Sequence, residues 1–229
     1  MQTAAPFAKL PRMTNTFLWL AGGVLAYLLG SIPFGFLIAK ARGKDIRTLG
    51  SGNIGATNVF RSVSKPLGIL TFALDFLKGY CGAALLPALA ATLTGGSVGG
   101  MGLAVFCGAM TVVGHNWTCF LGFKGGKGIA TSAGLLLGLA PAAVGLAFAV
   151  WLAAFVISRY VSVASVLAAA ALGLAVWPLY HAAHGLWFPA VLTLLALLAI
   201  FKHRSNIARL RAGTESRFTF GKKNTQGIS

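Results

Sequence analysis

The sequence predicts an all-α integral membrane protein with seven transmembrane helices, its N-terminus outside and its C-terminus in the cytoplasm. Three observations lead there. Hydrophobic residues are 57% of the chain and charged ones only 10%, too apolar a balance for a surface facing water, so lipid has to serve as solvent. Seven apolar runs follow one another, most of them close to the ~20 residues that a helix needs to cross a hydrocarbon core about 30 Å thick. The Lys and Arg residues gather in alternate connecting segments rather than spreading evenly.

The first run, residues 16–38, is longer than a signal-peptide core and leads into a polar loop, so it reads as a retained anchor. The second and third runs cover 67–93 and 101–121. The fourth and fifth, 129–140 and 142–158, make an apolar stretch too long for one span without strong tilt. Pro141 lies near its middle, where a helix breaks or kinks, and the reading is two short helices meeting there; one long kinked helix is the alternative. The sixth and seventh runs are 161–180 and 186–201. The organisation is thus an extended external N-terminus (1–15), a single seven-helix membrane domain (16–218) and a basic cytoplasmic tail (219–229).

Charge decides the helix count and the orientation. With seven spans, one face receives six Lys/Arg from 40–65, two from 124–127, Arg159 and seven from 202–223, while the other receives only Lys9 and Arg12. This is a strong positive-inside pattern, and the outer connections around 95–100, 141 and 181–185 carry no Lys or Arg at all. Six spans would put Lys124 and Arg159 on opposite faces and the basic tail beside Lys9 and Arg12, which flattens the asymmetry. The 19 basic residues face only Asp45, Asp75 and Glu215, so partners reached through water are anionic: phosphates or acidic membrane lipid. Nucleic acid is not expected, because the cations sit in short loops between spans and not on a soluble domain. Cys81, Cys107 and Cys119 fall in apolar stretches without ligand spacing and read as packing residues. No metal site is predicted, since His181 and His184 have no carboxylate near them in the sequence.

The inner loops hold the chemistry. The first contains Gly50-Ser51-Gly52-Asn53-Ile54-Gly55-Ala56-Thr57-Asn58, with Arg61 just beyond. Such a density of Gly, Ser, Thr and Asn lets backbone N–H groups converge and adds side-chain donors, so the loop can hold a phosphate, with Asn53, Thr57 and Asn58 as binding residues. The second, Gly122-Phe123-Lys124-Gly125-Gly126-Lys127-Gly128, leads directly into a helix, so Lys124, Lys127 and the first helical amides point at one place. It is not a Walker loop, because no Gly-Lys pair is followed by Ser or Thr and no acidic magnesium ligand stands by. The third follows the last span and runs from Lys202 to Glu215, with His203 and Asn206 on one helical face and Arg209 further along. Taken singly, each cluster also fits a topology anchor or a lipid contact. Three on one face, each mixing cations with Asn, Ser, Thr or His, fit a site better. Within the second run, Asp75 and Lys78 stand at helical pairing distance and read as a structural pair or a site element. His115, in Gly114-His115-Asn116, reads equally as site lining or packing.

These three loops, in this order, together with Asp75-Phe76-Leu77-Lys78-Gly79 and Arg159-Tyr160-Val161-Ser162, resemble the bacterial acyl-phosphate:glycerol-3-phosphate acyltransferases from about residue 17 to about 218. The resemblance implies a catalytic domain in the bacterial inner membrane that moves a fatty acyl group from acyl phosphate to glycerol 3-phosphate. It needs no cofactor and no thioester donor. By the same likeness Ser51, Arg61, Lys127, His203 and Asn206 are catalytic, Arg209 lines the site, the Gly125-Gly126-Lys127-Gly128 turn holds the glycerol phosphate, and Glu215 keeps the third loop in shape. A soluble enzyme supplying the acyl phosphate is an implied partner, and a monomer is expected.

The residues themselves add constraints. None of the four His residues has the downstream Asp of a His/Asp acyltransferase motif, and Asp75, committed to a span, leaves no Ser/His/Asp triad to assemble. A donor that is already activated removes the need for either. Acyl phosphate is a mixed anhydride with a good leaving group, so the protein mainly has to hold two polyanions together and offset the developing charge. The hydroxyl proton then passes to a phosphate oxygen or to His203, and Ser51 donates a hydrogen bond rather than attacking. A transporter of organic phosphate would share the helices and the cations, but its site belongs near the bilayer midplane on broken helices, not at one interface.

Overall fold

The computed structural model describes residues 12–219, and every regular element among them is helical. The rest of the expected N-terminal extension and of the basic tail lies outside the described residues. The chain divides into two compact units after Val144.

The first unit contains α1 (Arg12–Ser31), α2 (Phe34–Lys40), α3 (Ala56–Ser62), α4 (Lys65–Tyr80), a π-helical turn (Cys81–Leu85), α5 (Leu86–Leu93), α6 (Gly100–Asn116), a 3₁₀ turn (Cys119–Leu121) and α7 (Ile129–Leu139). α1 packs along α6, and α4 along α7. Both crossings are made by glycine pairs. A Cβ on Gly30 would strike the Thr111 carbonyl and one on Gly114 that of Tyr27; across the second crossing Gly79 meets Thr131 and Gly134 meets Phe76 in the same way. In lipid, where apolar burial gives little drive for helices to associate, such close approach is the source of van der Waals attraction. Polar ties add to the first crossing: Tyr27 Oη donates to the Trp117 carbonyl at 2.8 Å, and Thr118 Oγ1 to that of Ser31 at 2.6 Å.

In the second unit are most of α8 (Pro141–Ser158), then α9 (Val161–His184), α10 (Trp187–Lys202) and α11 (Arg204–Arg211). α9 and α10 pack together, with Thr193 Oγ1 both donating to the Gly173 carbonyl and accepting from Trp177 Nε1, each at 3.1 Å. α8 is tied to α9 by Trp151 Nε1 on Ser165 Oγ. Leu152, Ile157, Leu174 and Leu194 stay exposed, as lipid-facing residues do.

Among the described residues, five helical stretches are long and apolar enough to cross a membrane: Asn15–Lys40, Lys65–Leu93, Gly100–Leu121, Pro141–Ser158 and Val161–His184. Trp187–Lys202 and Arg204–Arg211, bent by 46°, make a sixth if read as one span. α7, with 11 residues, rises only ~16 Å and is too short to cross a 30 Å core alone. The protein is therefore a multi-pass membrane protein, with five or six such spans plus one short apolar helix among the described residues. The break at Pro141 separates α7 from α8, since proline has no N–H to continue the ladder and fits a first helical position.

Other boundaries differ from the sequence reading. α1 starts at Arg12, so 12–15 are helical and not extended. The first apolar run is interrupted at Ile32-Pro33. The outer loop expected at 181–185 is the last turn of α9, because Ala182 and Ala183 carry the helix past Pro178 until Gly185 closes it at a φ of 69°.

Candidate active site

The first loop is built on one amide. Asn58, 2% exposed, sets its Nδ2 within hydrogen-bond distance of the carbonyls of Asn53 (2.8 Å), Leu49 (2.9 Å) and Ile46 (3.2 Å), while its Oδ1 accepts from Ser51 N (3.1 Å) and Ser62 Oγ (3.3 Å). That network leaves little of the Asn58 amide for a substrate; its part is to shape the loop. Asn53 is likewise turned inward, its Oδ1 accepting from Gly55 N at 2.8 Å. Ser51 and Arg61 stand exposed, Thr57 half-buried, on the loop and the short α3 that follows. At the far end Asp45 is chelated by Arg47, whose donated hydrogen bonds hold the carboxyl at a pKa of about 2.

The second loop lies over the end of α6. Gly126 N donates to the His115 carbonyl at 2.9 Å, and Cβ atoms on Gly125 or Gly126 would run into His115 itself. Gly128, at a φ of 80°, caps α7 against the buried Asn116. The turn thus needs its glycines for contact with α6, and it leaves Lys124 exposed and Lys127 half-buried. Beneath it, Asp75 Oδ1 is 2.9 Å from Lys78 Nζ and 3.5 Å from His115 Nδ1, with all three side chains buried. Lys78 Nζ also donates to the Ile32 carbonyl at 2.8 Å.

In the second unit, His203 occupies the bend between α10 and α11. It is 4% exposed, with Nδ1 2.8 Å from the Ala199 carbonyl. A carbonyl only accepts, so Nδ1 carries the proton there and Nε2 is the basic nitrogen of the neutral ring. Glu215 clamps its neighbours: Oε1 accepts from Asn206 Nδ2 and Oε2 from Arg209 Nε, both at 2.7 Å. Burial alone would raise the Glu215 carboxyl, but these donors, with Ser162 beside them, outweigh it and hold the pKa below the usual glutamate range. The segment after Glu215 is fastened in turn, Phe218 N donating to the Arg159 carbonyl and its ring meeting Phe155 edge-on at 5.4 Å.

Two residues of these assemblies were not singled out as site residues by the sequence. Ser162 is a lone hydroxyl at the start of an apolar span, and only its burial beside Glu215 marks it. His115 was undecided between lining and packing; its place under the glycine turn gives it a definite neighbour.

The described residues thus form a multi-pass helical membrane protein with glycine-shaped turns that carry cations. Comparison with known proteins narrows this. The family profile described as glycerol-3-phosphate acyltransferase matches residues 20–213. The chain is 51% identical over 206 residues to a glycerol-3-phosphate acyltransferase of Geobacter metallireducens (90% of this chain, 99% of that one), and 46% identical over 201 residues to one of Desulforudis audaxviator (86% and 94%). A crystal structure of PlsY (YgiH), described as an integral membrane glycerol 3-phosphate acyltransferase in its glycerol 3-phosphate form, superposes with a TM-score of 0.76 at 40% identity, covering 88% of this chain and 96% of that one. A second, in a lysophosphatidic acid form, gives 0.74. The chain belongs to the glycerol-3-phosphate acyltransferase family and is an enzyme, an acyltransferase of the membrane.

Proposed function

We propose that the chain transfers a fatty acyl group from acyl phosphate to glycerol 3-phosphate, giving lysophosphatidic acid and inorganic phosphate, as a monomer at the cytoplasmic face of a bacterial inner membrane. The acceptor follows from the relatives, one solved with glycerol 3-phosphate and one with lysophosphatidic acid. The pre-activated donor rests on one observation: all three carboxylates of the chain are committed to cationic partners, Asp45 to Arg47, Asp75 to Lys78 and Glu215 to Arg209. Asp75 also faces His115 beneath the glycine turn, and Glu215 is taken by Asn206 and Arg209, so in this reading no carboxylate is spare for a Ser/His/acid triad and the donor brings its own leaving group.

In this reading Arg61, Lys124, Lys127 and Arg209 offset the charge of the two substrates, with the Gly125-Gly126-Lys127-Gly128 turn around the glycerol phosphate and Ser51 and Thr57 as polar contacts. The acceptor hydroxyl oxygen attacks the acyl carbonyl carbon. The bond from that carbon to the phosphate oxygen breaks, and phosphate leaves with the electron pair. The hydroxyl proton goes to His203 Nε2 or to a phosphate oxygen, and Asn206, held by Glu215, steadies the histidine's surroundings. The topology that suits this chemistry has seven spans, with α7 counted as one, and the N-terminus outside.

The assay is acyl transfer by the purified enzyme to labelled glycerol 3-phosphate, with acyl phosphate, acyl-CoA and acyl carrier protein thioesters offered in parallel. Lysophosphatidic acid from acyl phosphate alone is expected. Transfer from a thioester but not from acyl phosphate would overturn the donor, and an acyl group trapped on Ser51 would overturn direct attack. His203→Ala should cut kcat by about 100-fold or more with folding intact; full turnover would remove the histidine from the mechanism.

A further inference from the structure

The mechanism leaves one group of buried ionisable residues unused, and it lies directly under the turn that carries Lys127. Asp75, Lys78 and His115 are 2%, 3% and 5% exposed. Charges brought this far from water are costly unless they are paired, and a pair that only closed α4 would not need to involve α6. This one does. Asp75 Oδ1 faces Lys78 Nζ on its own helix at 2.9 Å and His115 Nδ1 on α6 at 3.5 Å, and Lys78 Nζ reaches across to the Ile32 carbonyl at 2.8 Å with the Phe34 ring 5.4 Å away. The imidazole therefore has the Asp75 carboxylate on its Nδ1 side, at ion-pair distance rather than in a hydrogen bond. Its other edge, Nε2 and Cε1, is where a Cβ on Gly126 would collide, and the His115 carbonyl takes the Gly126 N–H at 2.9 Å. Backbone and ring of one residue thus form the seat of the turn, and the next residue along is Lys127.

We propose that Asp75, Lys78 and His115 are positioning residues for the phosphate-binding turn: the Asp75–Lys78 pair sets the His115 ring, and the ring sets the height and tilt of Gly125-Gly126-Lys127. None of the three needs to touch substrate. The proposal rests on the reading that this turn holds the phosphate of glycerol 3-phosphate. It accounts for why glycine stands at both 125 and 126, since the smallest side chain at either would strike His115. It also accounts for a buried ion pair near the site without giving it a proton to carry.

The experiment measures steady-state KM for each substrate and kcat, together with equilibrium binding of glycerol 3-phosphate to the detergent-purified protein, for His115→Ala, Asp75→Asn, Gly126→Ala and the double variant His115→Ala/Gly126→Ala. A displaced Lys127 should raise KM and Kd for glycerol 3-phosphate about tenfold in each single variant, with KM for acyl phosphate within about twofold of wild type. Removing the ring should make room for the added methyl, so the double variant should bind better than the product of the two single losses predicts. Strictly multiplicative losses, or an unchanged glycerol 3-phosphate KM in folded Asp75→Asn and His115→Ala, would overturn the proposal. So would a fall in kcat alone at constant KM, which is what loss of folded enzyme produces. Should His115→Ala fail to fold, Asp75→Asn and Gly126→Ala decide the matter by the same split between the two KM values. Failure of the underlying reading is seen separately: wild-type protein that does not bind glycerol 3-phosphate, or binds it undiminished after Lys127→Ala, refutes the role of the turn.

Discussion

The first loop and the third cluster solve the same problem with different chemistry. Each must hold polar residues in one shape at a membrane surface. The loop at 46–62 does so with a neutral amide, Asn58, which gathers carbonyls and an N–H from its own backbone. The cluster at 203–215 does so with a carboxylate, Glu215, which gathers side chains, one of them cationic. A buried amide makes many modest bonds that fail together when it is removed, whereas an ionised carboxylate makes a few strong ones that depend on pH. The two regions should therefore break differently.

The largest effect is expected at Asn58. Asn58→Ala leaves three carbonyls and the Ser51 N–H without their partner, and each buried orphan costs about 1–3 kcal/mol where water cannot replace it. An overall loss of about 3 kcal/mol, seen as an apparent Tm lower by about 5–10 °C, should come with activity reduced ~100-fold or more. Normal activity in this variant would show that the loop is shaped by something else.

Glu215→Gln is the next step down. It keeps size and an acceptor but sets a neutral amide against Arg209, which is itself partly exposed, so the stability loss should be about 1 kcal/mol and the fall in activity about tenfold. If Glu215→Gln proved as damaging as Asn58→Ala, the contrast between the regions would fail.

pH then separates them. Because the Glu215 pKa is lower in the folded protein, its contribution is fully present above the ordinary glutamate range and disappears as pH falls through the folded value. Acid should thus weaken the third cluster while the Asn58 network, which has no proton to gain, holds. Thermal scans from neutral to acid pH on wild type and Glu215→Gln test this, and the two curves should converge as pH falls. Parallel curves would remove Glu215 from the acid response.

The smallest effect belongs to Asp45 and Arg47, an exposed pair at the edge of the first loop. Its Asp45 pKa of about 2 records a good hydrogen-bonding geometry, but both partners face solvent and salt screens them. Asp45→Asn should leave Tm and turnover at wild-type values within scatter. A clear loss would mean that the loop extends its cooperative network out to residue 45.

Much of this was legible in the chain as written. Apolar runs, the break at Pro141 and the spacing of Asp75 and Lys78 depend on local rules, on helix length, on proline's missing N–H and on a three-residue helical offset. The loops could be located for the same reason, since Gly, Asn, Ser and Lys cluster only where backbone and charge must meet something polar. What each residue does inside its loop was less accessible. Asn58 reads as a ligand by composition and stands instead as the staple of its loop, and Asn53 turns inward beside it.

By itself, then, the amino-acid order determined that this protein lives in a membrane, where its helices can begin and break, and which turns carry its cations, because those properties follow from transfer free energies and backbone sterics over a few residues. Only the tertiary structure decided which small residues are contact points and which buried polar groups find one another. The fit of Gly126 over His115, and of Asp75 beside it, joins positions far apart in the chain, and such a meeting depends on how α4 and α6 pack.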